Sequence, residues 1–222
     1  MKIKRISIPL AVLLLLTTLG STLIFSLPAV FANPVCGATI TKNTTLTANI
    51  GPCSGNGLII GANGITLDCA GHTISGTGTG NGITLSGLNK VTVKNCEVTG
   101  FGFGFYLQES SHNTLTKNTA NSNVDQGFYL TTTSNGNTLS ENTANSNGDY
   151  GFELVFSSIK NTLTKNTANS NTHYGYYDTS FSSSAGAPHW DTANSYKGDK
   201  GTGNGVGLAG GNPNIQTATS PF

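Results

Sequence analysis

The sequence predicts an all-β fold, a single-stranded right-handed parallel β-helix of about six coils with roughly 24 residues per rung. The first observation is an eleven-residue motif that recurs at a step of 24 residues, at positions 113–123, 137–147 and 161–171. The copies read NTLTKNTANSN, NTLSENTANSN and NTLTKNTANSN. The second is composition: only 9% of residues are charged and 29 are glycine, which is typical of a turn-rich β-fold and not of a helical bundle.

Each repeat contains the alternation expected of a strand with one buried face. Phe128 and Leu130 flank Tyr129, a period of two, and Asn, Gly and Ser punctuate the chain every five to eight residues. One coil cannot bury its own apolar side chains, but coils stacked about 4.8 Å apart bury them in columns. Two inward columns are predicted: Leu67, Val93, Leu115, Leu139 and Leu163, and Ile74, Val98, Ala120, Ala144 and Ala168.

Repeating asparagines mark the turns between the strands. Asn118, Asn142 and Asn166 occupy one position in successive repeats. We expect them to adopt left-handed turn conformations and to hydrogen-bond through their side-chain amides along the solenoid axis.

The N-terminus has the pattern of a secretory signal. Lys2, Lys4 and Arg5 precede a largely apolar segment at 6–25, and small residues near position 32 predict cleavage after Ala32. An uncleaved membrane anchor is the alternative, since the segment is nearly long enough to span a bilayer. We therefore expect a secreted, cell-surface or periplasmic protein.

The remainder divides into four parts along the chain. We expect an N-terminal cap and first coil at 33–64, β-helix repeats at 65–178, an insertion loop with a last partial coil at 179–210, and a C-terminal tail at 211–222. The insertion follows from register: Tyr196 lies 33 residues after Leu163, an excess of nine that is placed most simply at 182–186.

Charge excludes one class of partner. Removal of the signal leaves eight basic residues against ten acidic ones, a net charge of about −2, which provides no basic footprint for nucleic acid. A monomer is expected, with membrane contact only through an uncleaved signal.

Four cysteines in an exported chain predict two disulfides. Cys36 and Cys53 flank the first coil, where the open end of the solenoid must be closed. Cys69 follows an inward position and Cys96 lies near the equivalent position of the next coil, within bridging range. The predicted pairs are therefore Cys36–Cys53 and Cys69–Cys96.

The chain resembles a known group of secreted β-helix proteins. Cys36-Gly37 and the segment GITLDCAGHTISG at 64–76 resemble the opening of proteins in the pectin-lyase-like superfamily, and the NTLTKNTANSN repeats followed by Gly-Phe resemble NosD-type, or CASH-type, β-helix repeats. The resemblance covers about residues 36–210. It implies the fold but not one function, because this fold hosts lyases, hydrolases, epimerases, adhesins and proteins without known activity.

Two features of the sequence argue against the enzymatic activities that the resemblance implies. Superfamily lyases use an arginine base, whereas the single arginine here is Arg5 in the signal. Hydrolases of the fold use clustered aspartates, and no Asp-Asp pair occurs. The enzymatic alternative is a polysaccharide-active enzyme in which Glu153 works with Asp149 or Asp125.

A strip of outward side chains is the predicted binding surface. Tyr106, Tyr129, Glu153 and Tyr177 occupy the same strand position in successive repeats. Sugar rings pack on aromatic rings and Glu153 can accept hydroxyl hydrogen bonds. The alternative is aromatic stacking that only stabilises the solenoid.

An in-register ladder of Asp125, Asp149 and His173 is a weak candidate metal site. A calcium ion between the carboxylates is conceivable, but a solvated turn is the favoured interpretation, so no cofactor is expected. The preferred function is a non-catalytic extracellular or cell-surface β-helix that binds carbohydrate, an extracellular polysaccharide or cell-surface glycan, or acts as a surface scaffold. A NosD-like periplasmic metal-handling role is a further alternative, implied only by the resemblance.

Overall fold

The computed structural model describes residues 32–180 and 194–210, and those residues form nineteen strands. In chain order they are β1 Ala38–Ile40, β2 Thr44–Thr45, β3 Ile50–Cys53, β4 Leu58–Ile60, β5 Thr66–Asp68, β6 Thr73–Gly76, β7 Asn81–Ser86, β8 Thr92–Lys94, β9 Glu97–Thr99, β10 Phe103–Gln108, β11 Thr114–Thr116, β12 Thr119–Asn121, β13 Phe128–Thr131, β14 Thr138–Ser140, β15 Phe152–Leu154, β16 Thr162–Thr164, β17 Tyr174–Asp178, β18 Ser195–Lys197 and β19 Gly207–Gly210.

The chain visits three parallel sheets in turn, which defines a β-solenoid. Sheet A has eight strands in the order β1-β4-β7-β10-β13-β15-β17-β19, sheet B has seven in the order β18-β16-β14-β11-β8-β5-β2, and sheet C has four in the order β12-β9-β6-β3. From β12 onward sheet C continues as isolated bridges, such as Thr119 to Thr143 and Thr143 to Thr167. The predicted fold class, about six coils at a spacing near 24 residues, is confirmed.

The inward columns predicted from the repeats lie in the core, together with the inward side chains of sheet A. Leu139 pairs in register with Leu115 on one side and Leu163 on the other, and all three side chains are fully buried. The equivalent pairs Leu67 to Val93 and Ile74 to Val98 are also in register. The predicted insertion in register is confirmed as well, since Leu163 pairs with Tyr196. The segment at 182–186 to which we assigned it lies outside the described residues.

The asparagine ladder forms, but the left-handed turns lie elsewhere. Asn118 Nδ2 donates to Asn142 Oδ1 at 3.1 Å, and Asn142 Nδ2 donates to Asn166 Oδ1 at 3.0 Å. The expectation that these asparagines are left-handed is wrong. The preceding residues, Lys117 and Glu141 among them, have φ near +55° instead. The turn at that residue points the next side chain inward, where its amide satisfies buried backbone groups that would otherwise be unpaired.

Both predicted disulfides are bonded in the structure. Cys36 pairs with Cys53, with a Cα–Cα distance of 5.5 Å, and Cys69 pairs with Cys96 at 4.7 Å. The first bond closes the coil at the N-terminal end of the described solenoid, and the second joins two successive coils.

No helix in the described ranges has the length and apolar character needed to cross a bilayer. The signal segment lies almost wholly outside those ranges, so its cleavage remains a prediction.

Candidate functional site

One face of sheet A gathers the predicted binding residues into a column. Tyr106 pairs with Tyr129, Tyr129 with Glu153, and Glu153 with Tyr177, each in register on neighbouring strands. Their neighbours point inward as a stack of rings, in which Phe128 lies 4.7 Å from Phe152 between ring centroids. Because side chains alternate along a strand, this inner stack holds the strand column outward.

A second column of side chains runs beside the first, three residues earlier in each coil. It comprises Phe103, Gln126, Tyr150 and Tyr174. Backbone hydrogen bonds set its register: Gly104 N donates to Gln126 O at 3.0 Å, and Gly127 N donates to Tyr150 O at 3.0 Å. Gln126 and Tyr150 precede their strands, and Phe103 and Tyr174 are the first residues of β10 and β17. We call these four residues the turn column, and the set Tyr106, Tyr129, Glu153 and Tyr177 the strand column.

The two columns contact each other diagonally, from the turn column of one coil to the strand column of the next. Phe103 stacks on Tyr129 with centroids 5.2 Å apart. Tyr150 stacks on Tyr177 at 4.6 Å, with ring planes 7° apart. Between these two aromatic pairs the same diagonal joins Gln126 to Glu153 by a hydrogen bond of 2.6 Å. A polar pair thus replaces a ring pair in the middle of the face.

The rings form two clusters, not the single flat strip that the spacing suggested. The Phe103 cluster contains Phe103, Tyr106 and Tyr129, whose two tyrosine rings are tilted by 59°. The Tyr150 cluster contains Tyr150, Tyr174 and Tyr177, with ring planes within 20° of one another. Near-parallel rings cover each other's faces, so this half-buried cluster presents mainly ring edges and hydroxyl groups.

Two carboxylates meet at a single buried amide between the clusters. Gln126 Nε2 donates to Glu153 Oε2 and, at 3.2 Å, to Asp149 Oδ2. Gln126 and Glu153 are only 7% and 9% exposed. Asp149 Oδ1 lies 2.7 Å from His173 Nδ1. Sequence reasoning placed Glu153 outward and accessible, whereas its outward-facing carboxyl is covered.

This burial changes the acid–base properties of the site. Burial, with Asp149 as a second cause, raises the pKa of Glu153 to about 7, although the hydrogen bond from Gln126 opposes the shift. Burial raises the pKa of Tyr150 to about 12, helped by the charge of Asp149 and neighbouring groups. The pKa of Tyr129 is also raised, first by burial and then by the charge of Glu153. Glu153 therefore exchanges its proton near neutral pH.

The predicted acidic ladder adjoins this face. Asp149 N donates to Asp125 O at 3.1 Å, and His173 N donates to Asp149 O at 3.0 Å, so the three residues are in register as expected. Asp149 contacts the Gln126–Glu153 pair, whereas Asp125 is linked to the group through its backbone. In the described ranges no group of three or more His, Cys, Asp or Glu side chains is arranged to hold a metal. Calcium binding at Asp125 and Asp149 stays a hypothesis.

Sequence reasoning missed the turn column. Its position three residues before each strand-column residue is constant, so the repeat register could have revealed the rings of Phe103, Tyr150 and Tyr174. The local sequence does not indicate that Gln126 contacts Glu153, because the two residues are 27 positions apart.

Comparison with known families supports the architecture. A family model described as "Right handed beta helix region" matches residues 28–187. No curated protein matches the sequence significantly.

Solved structures of similar fold include carbohydrate-active enzymes. A variant of the periplasmic alginate epimerase AlgG aligns with a TM-score of 0.52 at 12% identity, over 79% of this chain and 47% of that one. A second AlgG variant gives 0.52 at 14% identity, over 79% and 44%. The catalytic domain of a GH87 alpha-1,3-glucanase in complex with nigerose gives 0.47 at 22% identity, over 78% and 35%. The chain thus spans less than half the length of these structures. At 12% and 14% identity, the likeness to the two AlgG variants shows the fold alone.

Proposed function

The chain belongs to the right-handed β-helix family, and from that premise we propose that it is an extracellular or cell-surface protein that binds a glycan on the face formed by the strand and turn columns. The observation that carries the proposal is the diagonal arrangement itself. Two half-buried aromatic clusters flank a hydrogen-bonded carboxyl on one face of the solenoid. Aromatic bodies with a few fixed polar groups are the usual composition of a sugar-binding surface.

The shape of the face suggests how a glycan would lie. Successive coils repeat about every 4.8 Å, close to the length of one sugar ring, so an extended chain would run along the solenoid axis. Tyrosine edges and hydroxyl groups would contact the sugar rings and their hydroxyls, and Asp149, 30% exposed, would accept further hydrogen bonds. Each contact is weak, on the order of 0.5–1.5 kcal/mol, so binding depends on several coils acting together.

A panel of polysaccharides tests the proposal. We expect the purified protein to be retained by at least one glycan in affinity electrophoresis, and Tyr129→Ala with Tyr177→Ala to weaken retention at least tenfold. Phe156→Ala is the matched control, because that ring is 68% exposed and follows the sheet A strand outside both columns. Equal retention of the double variant and the parent would refute the proposal.

A second candidate function, polysaccharide cleavage, is favoured by one observation. Glu153 and Asp149 contact the same Gln126 nitrogen, so those two carboxyl oxygens lie less than about 6 Å apart, a range that includes the separation of about 5–5.5 Å in retaining glycosidases. A carboxyl with a pKa of about 7 can donate a proton to a leaving oxygen at neutral pH. Cleavage would appear as new reducing ends or unsaturated products, and Glu153→Gln would abolish it. If the parent yields no product while it binds the glycan, the non-catalytic function stands.

A further inference from the structure

Charge is distributed unevenly around the solenoid. The acids Asp125, Asp149 and Glu153 lie in or beside the two columns. The lysines of the described ranges lie on other parts of each coil: Lys42, Lys90 and Lys160 between sheets A and B, Lys117 and Lys165 between sheets B and C, Lys94 and Lys197 in sheet B, and Lys200 in a sheet C bridge. The basic side chain that the structure records beside the face is His173, whose Nδ1 lies 2.7 Å from Asp149 Oδ1.

The polar atoms at the centre of this face are mainly acceptors. Gln126 donates both recorded hydrogen bonds of its amide to carboxylates, and its Oε1 is buried with no hydrogen-bond partner in the described part of the chain. That oxygen is bonded to the same carbon as Nε2, so it lies beside the two carboxylates. An unpaired buried acceptor is costly, and a ligand donor would remove this cost only if the side chains that cover the oxygen moved aside.

Acceptors, carboxylates and aromatic rings together favour one kind of ligand. An ammonium group donates three hydrogen bonds, is attracted by carboxylates, and packs on aromatic rings. A uronate chain would bring carboxylates toward that of Asp149, and like charges at this range repel.

We propose, building on the glycan-binding function above, that the site selects glycans that carry free amino groups, of the glucosamine type, over uronate polymers. An ammonium group of the sugar approaches Asp149 and the Gln126–Glu153 pair, while the Phe103 and Tyr150 clusters contact the sugar rings on either side. The acidic centre determines which glycan binds, and the aromatic clusters contribute to the binding of any glycan.

A matched pair of ligands tests this selectivity. A β-linked glucosamine oligomer and its N-acetylated counterpart have the same backbone and differ in charge, and an oligogalacturonate supplies the opposite charge. Binding is measured by calorimetry at low and high salt, below the pKa of the sugar amines. We expect the glucosamine oligomer to bind about tenfold more tightly than the N-acetylated form at low salt, with the ratio falling as salt screens the charges.

Charge-removing variants separate the site from general attraction to an acidic protein. Asp125→Asn with Asp149→Asn should reduce the ratio at least fivefold. The matched control, Glu109→Gln with Glu141→Gln, removes two exposed acids from other turns and should leave the ratio unchanged. Equal loss in both pairs, or oligogalacturonate binding as tightly as the glucosamine oligomer, would overturn the selectivity while glycan binding stands. Failure of all three oligomers and of the polysaccharide panel would overturn glycan binding itself.

Discussion

Gln126 Nε2 lies 2.6 Å from Glu153 Oε2 and so joins a turn of one coil to a strand of the next. The same diagonal carries stacked rings one coil earlier and one coil later. The polar pair keeps the spacing of the columns while it buries a carboxyl between two aromatic clusters. Burial of an ionisable group has a measurable consequence, because it couples stability to pH.

Replacing this carboxyl should stabilise the protein at alkaline pH. The pKa of Glu153 is raised from 4.5 to about 7, so the folded state keeps a proton that the unfolded state has lost, and stability falls as pH rises between those values. Glu153→Gln retains an acceptor for Gln126 and removes the charge. Urea unfolding should show a gain on the order of 1–3 kcal/mol at pH 8 and little gain at pH 4. A difference between variant and parent that does not change with pH would contradict the assignment.

Asp199 gives a second, independent pH effect at the last described coil. Asp199 occupies a ladder position that holds an asparagine in the preceding coils, and its Oδ1 accepts hydrogen bonds from Asn166 N and Nδ2. Burial raises the pKa of Asp199 to about 6. The folded state therefore loses stability as pH rises from 3.8 to about 6. At the adjacent position Asn204 Nδ2 donates to Ala168 O, which an ionised aspartate cannot do.

Asp199→Asn should consequently raise the thermal midpoint at pH 7.5 but not at pH 3.5. The gain is on the order of 1 kcal/mol, because loss of the hydrogen bond from Lys197 N to Oδ2 offsets part of it. The reverse change, Asn204→Asp, is made at the end of the neighbouring asparagine ladder and removes the donor to Ala168 O. It should lower the midpoint at pH 7.5. A lower midpoint for Asp199→Asn together with a higher midpoint for Asn204→Asp would mean that the ladder position does not prefer an amide.

A charge in the inward leucine column should disrupt the fold. Leu139 is fully buried between Leu115 and Leu163, so Leu139→Asp places an unpaired carboxylate in two interfaces at once and should destabilise by several kcal/mol. Thr138→Asp on the exposed side of the same strand is the control and should change stability little. Circular dichroism melting measures both, and an unchanged midpoint for Leu139→Asp would show that the column is not inward.

The disulfide between coils should contribute to stability through the unfolded chain. Cys69 and Cys96 are 27 residues apart, and a cross-link of that length contributes about 2–4 kcal/mol. Replacement of both cysteines by serine should lower the free energy of unfolding by about 2–4 kcal/mol.

Peptide mapping under non-reducing conditions should recover Cys36–Cys53 and Cys69–Cys96. Recovery of Cys36 joined to Cys96 would contradict both pairings.

The repeat period explains why so much of the fold could be predicted. A side chain that recurs every 24 residues must occupy the same place in every coil, so the Leu115, Leu139 and Leu163 column follows from spacing alone. The repeat spacing could not show which residue of each turn adopts the left-handed conformation. Asparagine favours that conformation in general, but here burial requires its amide to pair, and the turn moves to the exposed residue before it, such as Lys117.

The candidate site was predictable only in part for the same reason. Spacing placed Tyr129, Glu153 and Tyr177 on one face, which the structure confirms. The spacing could not show that the Glu153 carboxyl is buried. Its burial comes from the contact with Gln126 of the preceding coil and from the packing of other side chains around it.

Chemical-shift mapping tests the central claim, that the strand and turn columns bind a glycan, most directly. Backbone amide spectra are recorded during titration with each of the three oligomers. We expect the largest, saturating shifts within β13, β15 and β17 and at Gln126, Asp149 and Tyr150, with sheet B unaffected. Shifts concentrated in sheet B, at Thr114, Thr138 and Thr162 of β11, β14 and β16, or no saturable shift with any oligomer, would contradict the account.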